Sequence, residues 1–174
     1  MTSARGATRE TVLGVDPGLG TTGWGVVRHA AGRLTYLDSG KIRTDSRHPL
    51  GQRLSKIFGG LQDVLKAHQV TGCAVEAGFV GHSPQSALLL GHARAAAVLA
   101  AETSGIPVDV LAPRQIKMAV TGRGSASKEQ VSFMVGKLLG LEFDRDEEDI
   151  SDALAAALCR ILRAGRAPLS RTAG

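Results

Sequence analysis

The feature that most restricts the fold is a single change of rhythm along the chain. Up to Thr44 the sequence is a series of β-rich runs broken by glycine, and beyond it helical and strand patterns alternate. Thr11-Val-Leu-Gly-Val-Asp16 is a short run of strand type that stops at Pro17-Gly18. Gly23 to Arg28 and Arg33 to Asp38 are two more, split by an Ala-Ala-Gly32 turn that predicts a hairpin. Gly40 to Thr44 either extends the third strand or follows a bend. Leu54, Ile57, Phe58, Leu61, Val64 and Leu65 then recur at helical spacing within 50–68. Thr71 to Glu76 and Val108 to Ala112 read as strands; Ser83 to Glu102, Pro113 to Val120, Ser127 to Leu139 and Ser151 to Ala164 read as helices. Pro84 stands in a first turn, where proline is tolerated. Strands first, then strand–helix alternation, predict an α/β fold with a mixed sheet and helices on its faces.

The length of 174 residues suits one domain. Residues 1–10 and the basic tail 164–174 lack any period and read as flexible ends, leaving 11–163 as the folded unit. The net charge of +5 asks for an anionic partner such as nucleic acid, but aromatics are only 3%, which excludes a surface of many base-stacking rings. No apolar run approaches the roughly 20 residues of a membrane span, and Met1 to Glu10 has no apolar segment of the leader type. Cys73 and Cys159 lie far apart inside apolar runs, as two buried thiols of a reducing, cytoplasmic setting would. The five histidines show no zinc-site spacing.

Gly18-Leu-Gly-Thr-Thr-Gly23 is a literal GxGxxG after a strand, with Asp38 near the position of a ribose-binding acid. A dinucleotide site needs a helix N-terminus next, and Gly23-Trp-Gly-Val-Val27 is glycine-broken and β-branched instead. Asp16 would also repel a pyrophosphate. A carboxylate at a strand end suits a hard cation such as Mg²⁺, although Asp before Pro-Gly is also an ordinary turn former.

Glu76 closes a second strand, and acids are rare inside apolar strands because an unpaired buried charge is costly. Asp149 and Asp152 are three apart, so at a helix start both project from one face. Glu147 and Glu148 read more simply as complements of the helix dipole, with Ser151 or Asp149 as N-cap. Four acids meeting from two strands and a helix repel one another without metal. With two divalent ions they form a clamp on the attacking and leaving oxygens of a phosphodiester, with no His or Ser base required.

The order of these segments resembles the RuvC family of Holliday junction resolvases. The resemblance is carried by Leu13-Gly-Val-Asp-Pro-Gly18 with Thr22-Gly-Trp-Gly-Val26, then Val75-Glu76, Ser86-Ala-Leu-Leu-Leu-Gly91 with Ala93-Arg94, Ala112-Pro-Arg-Gln-Ile-Lys117, Gly122 to Lys128, and Asp149 to Leu154. It runs from about residue 12 to 162 and implies a ribonuclease H-like fold with a mixed five-stranded sheet. It also implies a homodimer that nicks four-way junction DNA symmetrically with Mg²⁺ or Mn²⁺, two ions per site, alongside a RuvA–RuvB branch-migration complex. Asp16, Glu76, Asp149 and Asp152 fall on the four catalytic, metal-binding acid positions; the third varies between Asp and His in the family. Phe79, in a loop flanked by Gly78 and Gly81, matches an aromatic that contacts bases at the junction centre, the alternative being a core side chain. Lys117 and Lys128 match basic positions near the scissile phosphate, and with Arg114 and Arg123 they make the glycine-rich stretch the first choice for DNA contact. Arg94 is left as either a DNA contact or an ion pair. Ala77-Gly78, His92 and Ala95 depart from the family's usual residues, the last two on a helix used near its dimer interface.

Other readings compete. An RNA-processing nuclease of the same fold changes only the substrate. An actin-like ATPase needs a second phosphate loop and greater length, and a silent DNA-binding module would be hindered by four acids.

Overall fold

The computed structural model describes residues 9–78 and 83–164. Strands β1 (Glu10–Asp16), β2 (Thr21–Ala30) and β3 (Arg33–Arg43) form an antiparallel meander, and β4 (Gly72–Glu76) and β5 (Val108–Leu111) add to it in parallel. The order β3-β2-β1-β4-β5 makes the expected mixed five-stranded sheet. The β2–β3 turn is carried by Ala31 and Gly32, both at positive φ, the geometry a tight two-residue hairpin prefers. Gly40 to Arg43 continue β3, so the third strand is one piece, with a bulge opposite Val26 and Val27. Gly23 to Val27 lie in β2, and no helix follows the glycines of Gly18 to Gly23.

Each face of the sheet has its own cover. Helices α1 (Leu50–Ala67) and α2 (Pro84–Glu102) close one face over Leu13, Val15, Val26, Cys73 and Val75. Helices α3 (Pro113–Thr121), α4 (Lys128–Leu139) and α5 (Glu148–Ala164) close the other over Val12, Val27, Ala74 and Leu111. Alternation along a strand therefore sends odd positions of β1 to the first layer and even positions, Asp16 included, to the second. Cys73 and Cys159 are both free and buried.

Helix α5 lies flat on β1 and β2 because those strands present glycine to it. A Cβ on Gly14 would fall 1.9 Å from the Ala153 carbonyl oxygen, and one on Gly23 would fall 2.1 Å from that of Asp149. Arg160 then fastens the far end: its guanidinium bonds Glu10 at 3.1 Å, Asp109 at 2.6 Å and the Cys73 carbonyl at 3.4 Å, linking α5 to three strands.

Two expected boundaries move. Helix α5 starts at Glu148, after a 3-10 turn over Arg145–Glu147, rather than at Ser151. Ser151 is fully packed inside and caps nothing, and neither does Asp149, which already lies in the first helical turn. The acids at 147–149 favour the earlier start by complementing the dipole, and the Glu147 carboxylate accepts the Asp144 N–H at 2.9 Å. Strand β1 opens at Glu10, one residue before Thr11, while α5 closes at Ala164 as expected. Among the described residues no helix is long and apolar enough to cross a membrane.

Because the α5–sheet contact is backbone on backbone, Gly14→Ala is expected to lower unfolding stability by about 3 kcal/mol, the upper range for overpacking. Gly20, whose added Cβ would meet open space, should tolerate alanine. Urea unfolding of the two variants checks the contrast.

Candidate functional site

Asp16 and Glu76 end neighbouring parallel strands on the α5 side of the sheet. The β1–β4 ladder runs through Val15–Val75, so the two acids stand side by side one step beyond it. The turn that leads away from Asp16 is pinned rather than open. Thr22 Oγ1 donates to the Gly18 carbonyl at 2.8 Å, Thr44 Oγ1 donates to the Leu19 carbonyl, and Arg53 donates to Leu19 at 3.2 Å. After Glu76, both backbone groups of Ala77 are held: its N–H donates to Leu111 at 2.8 Å, and its carbonyl accepts from Arg94 Nη1 at 2.7 Å. Arg94 is thus a clamp on the chain that follows Glu76, and no described residue pairs with its charge.

Asp149 and Asp152 come down from the first turn and a half of α5, as their spacing predicts. Gly23 makes the approach possible, since any side chain there would occupy the place of the Asp149 backbone. Lys128 Nζ reaches Asp152 at 3.1 Å from α4, and Lys41 Nζ reaches Asp149 at 3.1 Å from β3. Lys128 stands in the first turn of α4, where the helix dipole disfavours a cation; Asp152 offsets this and holds the lysine's pKa above its ordinary range.

Glu76, Lys117, Lys128 and Asp152 line one cavity of about 240 Å³, with Pro113, Ile116, Val131 and Ala155 as its apolar wall. Arg114 and Arg123 do not line it. Both are exposed; Arg114 packs across Gly124 and faces a separate groove with Met118 and Arg163. Phe79 falls outside the described residues.

Neither Asp16 nor Glu76 takes a hydrogen bond or ion pair from a described residue, and each is largely withdrawn from water. Burial, then Glu76 and the two α5 acids, pushes Asp16 up to about 7. Burial and Asp152 push Glu76 up to about 7, against the pull of Lys128 and Lys117. Such acids are poised for a cation, and an all-oxygen donor set suits Mg²⁺ or Mn²⁺ rather than a softer metal. Among the described residues no three donors are already gathered as a cage; Asp149 and Asp152 are turned onto lysines instead.

Lys41 is the site residue that sequence reasoning passes over. The one available signal was a lysine flanked by Gly40 and Ile42 near the end of a strand, and the bulge in the β2–β3 pairing hid which residue it would oppose.

A family model described as crossover junction endodeoxyribonuclease RuvC matches residues 12–160. Crossover junction endodeoxyribonuclease RuvC of Geobacter metallireducens is 43% identical over 161 residues, covering 92% of this chain and 98% of the relative. That of Saccharophagus degradans is 46% identical over 163 residues, covering 94% and 92%. Among solved structures, T. thermophilus RuvC in complex with Holliday junction substrate matches with a TM-score of 0.83 at 33% identity, covering 89% of this chain and 94% of that one. The yeast mitochondrial Holliday junction resolvase Ydc2, 12% identical with a TM-score of 0.67 and coverage of 94% and 82%, shares the fold. The fold is the ribonuclease H-like one.

The raised carboxyls fix a sign for pH dependence. Their folded values near 7 lie above the ordinary 3.8 and 4.5. The folded chain therefore holds extra protons between about pH 4 and 7, and the stability they give is lost as pH rises through 7. With divalent ions removed, Asp16→Asn and Glu76→Gln are expected to melt a few degrees above the parent at pH 8 and level with it at pH 4. Calorimetric melts across that range check this.

Proposed function

The chain belongs to the RuvC family of crossover junction endodeoxyribonucleases, and from that premise we propose that it resolves Holliday junctions by metal-dependent nicking of two DNA strands of like polarity. The observation that carries the reading is the pair of unpartnered, water-poor acids Asp16 and Glu76 at adjacent strand ends, faced by Asp149 and Asp152 and by two lysines.

In this reading Asp16, Glu76, Asp149 and Asp152 would hold two Mg²⁺ or Mn²⁺ ions, which when bound would supply activation of a water and stabilisation of charge on the phosphodiester. The protein's own groups do the rest. Lys117 and Lys128 bring ammonium charge to the cavity wall and bind oxygens of the phosphate to be cut. Lys128 is 65% exposed, so it can exchange Asp152 for a phosphate without leaving water. The apolar wall of Pro113, Ile116, Val131 and Ala155 limits water beside the acids. Arg114 and Arg123 contact phosphates further along the strand, and Phe79 contacts bases near the junction centre.

Symmetric nicking needs two such sites, so the working form is a homodimer. Its affinity comes mainly from phosphate contacts and falls with salt. Partnership with a RuvA–RuvB complex and action in the cytoplasm follow from the family resemblance.

An end-labelled four-way junction incubated with and without Mg²⁺ or Mn²⁺ tests the proposal. Paired nicks on opposed strands should require the metal and fall at least about 100-fold in Asp16→Asn, more than the 10–100-fold typical of groups that only support a ligand. Lys117→Ala should lower the salt slope of junction binding by about one. Cleavage of RNA–DNA hybrids in preference to junctions would favour an RNA-processing nuclease, and binding without cleavage in either metal would leave a DNA-binding module.

A further inference from the structure

The two α5 acids are each paired with a lysine, and the two lysines are not equivalent. Lys128 is 65% exposed and comes from a helix end beside the cavity. Lys41 is 11% exposed and comes from β3, on the opposite flank. A side chain so enclosed has little freedom to swing to a phosphate, although the Asp149 carboxylate it meets is 39% exposed and keeps the pair in partial contact with water.

Lys41 is placed by a row that crosses the sheet. Asp16 of β1 pairs with Gly23 of β2, and Gly23 pairs with Lys41 of β3, so the three occupy one line on one face. The middle member has no side chain, and the backbone of Asp149 fills that gap. Asp149 is thereby seated between an acid and a base. Its carboxylate turns to Lys41 at 3.1 Å, while the same ammonium donates to the backbone carbonyl of Asp146 in the turn that starts α5.

We infer that Lys41 is a positioning residue for the metal centre: through its contacts with Asp149 and the Asp146 carbonyl, it fixes where the first turn of α5 delivers its carboxylate. One carboxylate oxygen of Asp149 is engaged by Lys41, which leaves the other without a hydrogen-bond partner among the described residues. The inference rests on the proposed metal-dependent reading, since without a cation there is nothing for Asp149 to be aimed at.

The test is calorimetric titration of Mn²⁺ into the metal-free protein, its Lys41→Met, Lys41→Gln and Lys41→Arg variants, and Asp149→Asn. Junction binding without metal and cleavage at saturating Mn²⁺ are measured beside it. Lys41→Met is expected to weaken Mn²⁺ binding and lower kcat by about tenfold each, the lower end for residues that orient a ligand. Metal-free junction affinity should stay unchanged and Lys41→Arg should restore most of both losses; Lys41→Gln should follow Lys41→Met and serves if the latter misfolds. Mn²⁺ binding that is equal or tighter in Lys41→Met and Lys41→Gln would overturn the inference, because Lys41 would then be packing or a competing charge. A lower melting temperature with unchanged Mn²⁺ affinity would overturn it too. No Mn²⁺ binding by the unaltered protein would instead overturn the metal-dependent reading, and the role of Lys41 with it.

Discussion

Helix α5 rests on β1 and β2 with backbone almost touching backbone, and the placement of the acids follows from that. Gly14 and Gly23 lie under the carbonyls of Ala153 and Asp149, and Gly25 lies under Leu154. Side chains there would lift the helix by the thickness of a methyl or more, and its first turn would no longer bring Asp149 and Asp152 over the strand ends. Interiors this closely packed do not deform gradually, so the glycines set the depth at which the carboxylates meet. Arg160 completes the arrangement from the other end, where it joins α5 to Glu10, Asp109 and the Cys73 carbonyl.

That closeness has an electrostatic cost, and the site is organised around it. Asp16 and Glu76 are withdrawn from water without a hydrogen-bond donor among the described residues, and each is pushed up to about 7. Asp149 and Asp152 are instead each paired with a lysine, Lys41 and Lys128. Half of the acid set is therefore compensated by the protein and half is left needing a cation. A fully compensated set would have little reason to bind one, and an uncompensated set would tend to push α5 off the sheet.

The supporting contacts are as specific as the acids. The turn after Asp16 has its carbonyls occupied by Thr22, Thr44 and Arg53. Those contacts reach back to it from β2, the segment after β3, and α1. The chain after Glu76 is held at Ala77 by β5 and by Arg94 from α2. Each strand-end carboxylate thus leaves a strand whose next residues are tied to other elements, which is how a site spread over the chain keeps a single geometry.

Much of this was legible in the sequence because local chemistry forces it. β-Branched runs punctuated by Pro17-Gly18 and Gly32 dictate the strands and the hairpin, and periodic leucines dictate α1. An acid ending each of two apolar strands, and two acids one helical turn apart, dictate a convergent carboxylate site; their motif order carries the family resemblance. What the sequence left open depends on pairing across distance. The bulge at Val26 and Val27 decides that Lys41, rather than a neighbour, shares a row with Asp16. The start of α5 at Glu148 depends on contacts of Asp144 and Lys41 with the preceding turn. Arg94 finds a carbonyl and not a carboxylate because the chain after Glu76 passes under α2. Spacing along one chain fixes which side chains share an element and a face, but register and packing depth are properties of two elements at once, and only the folded structure holds both.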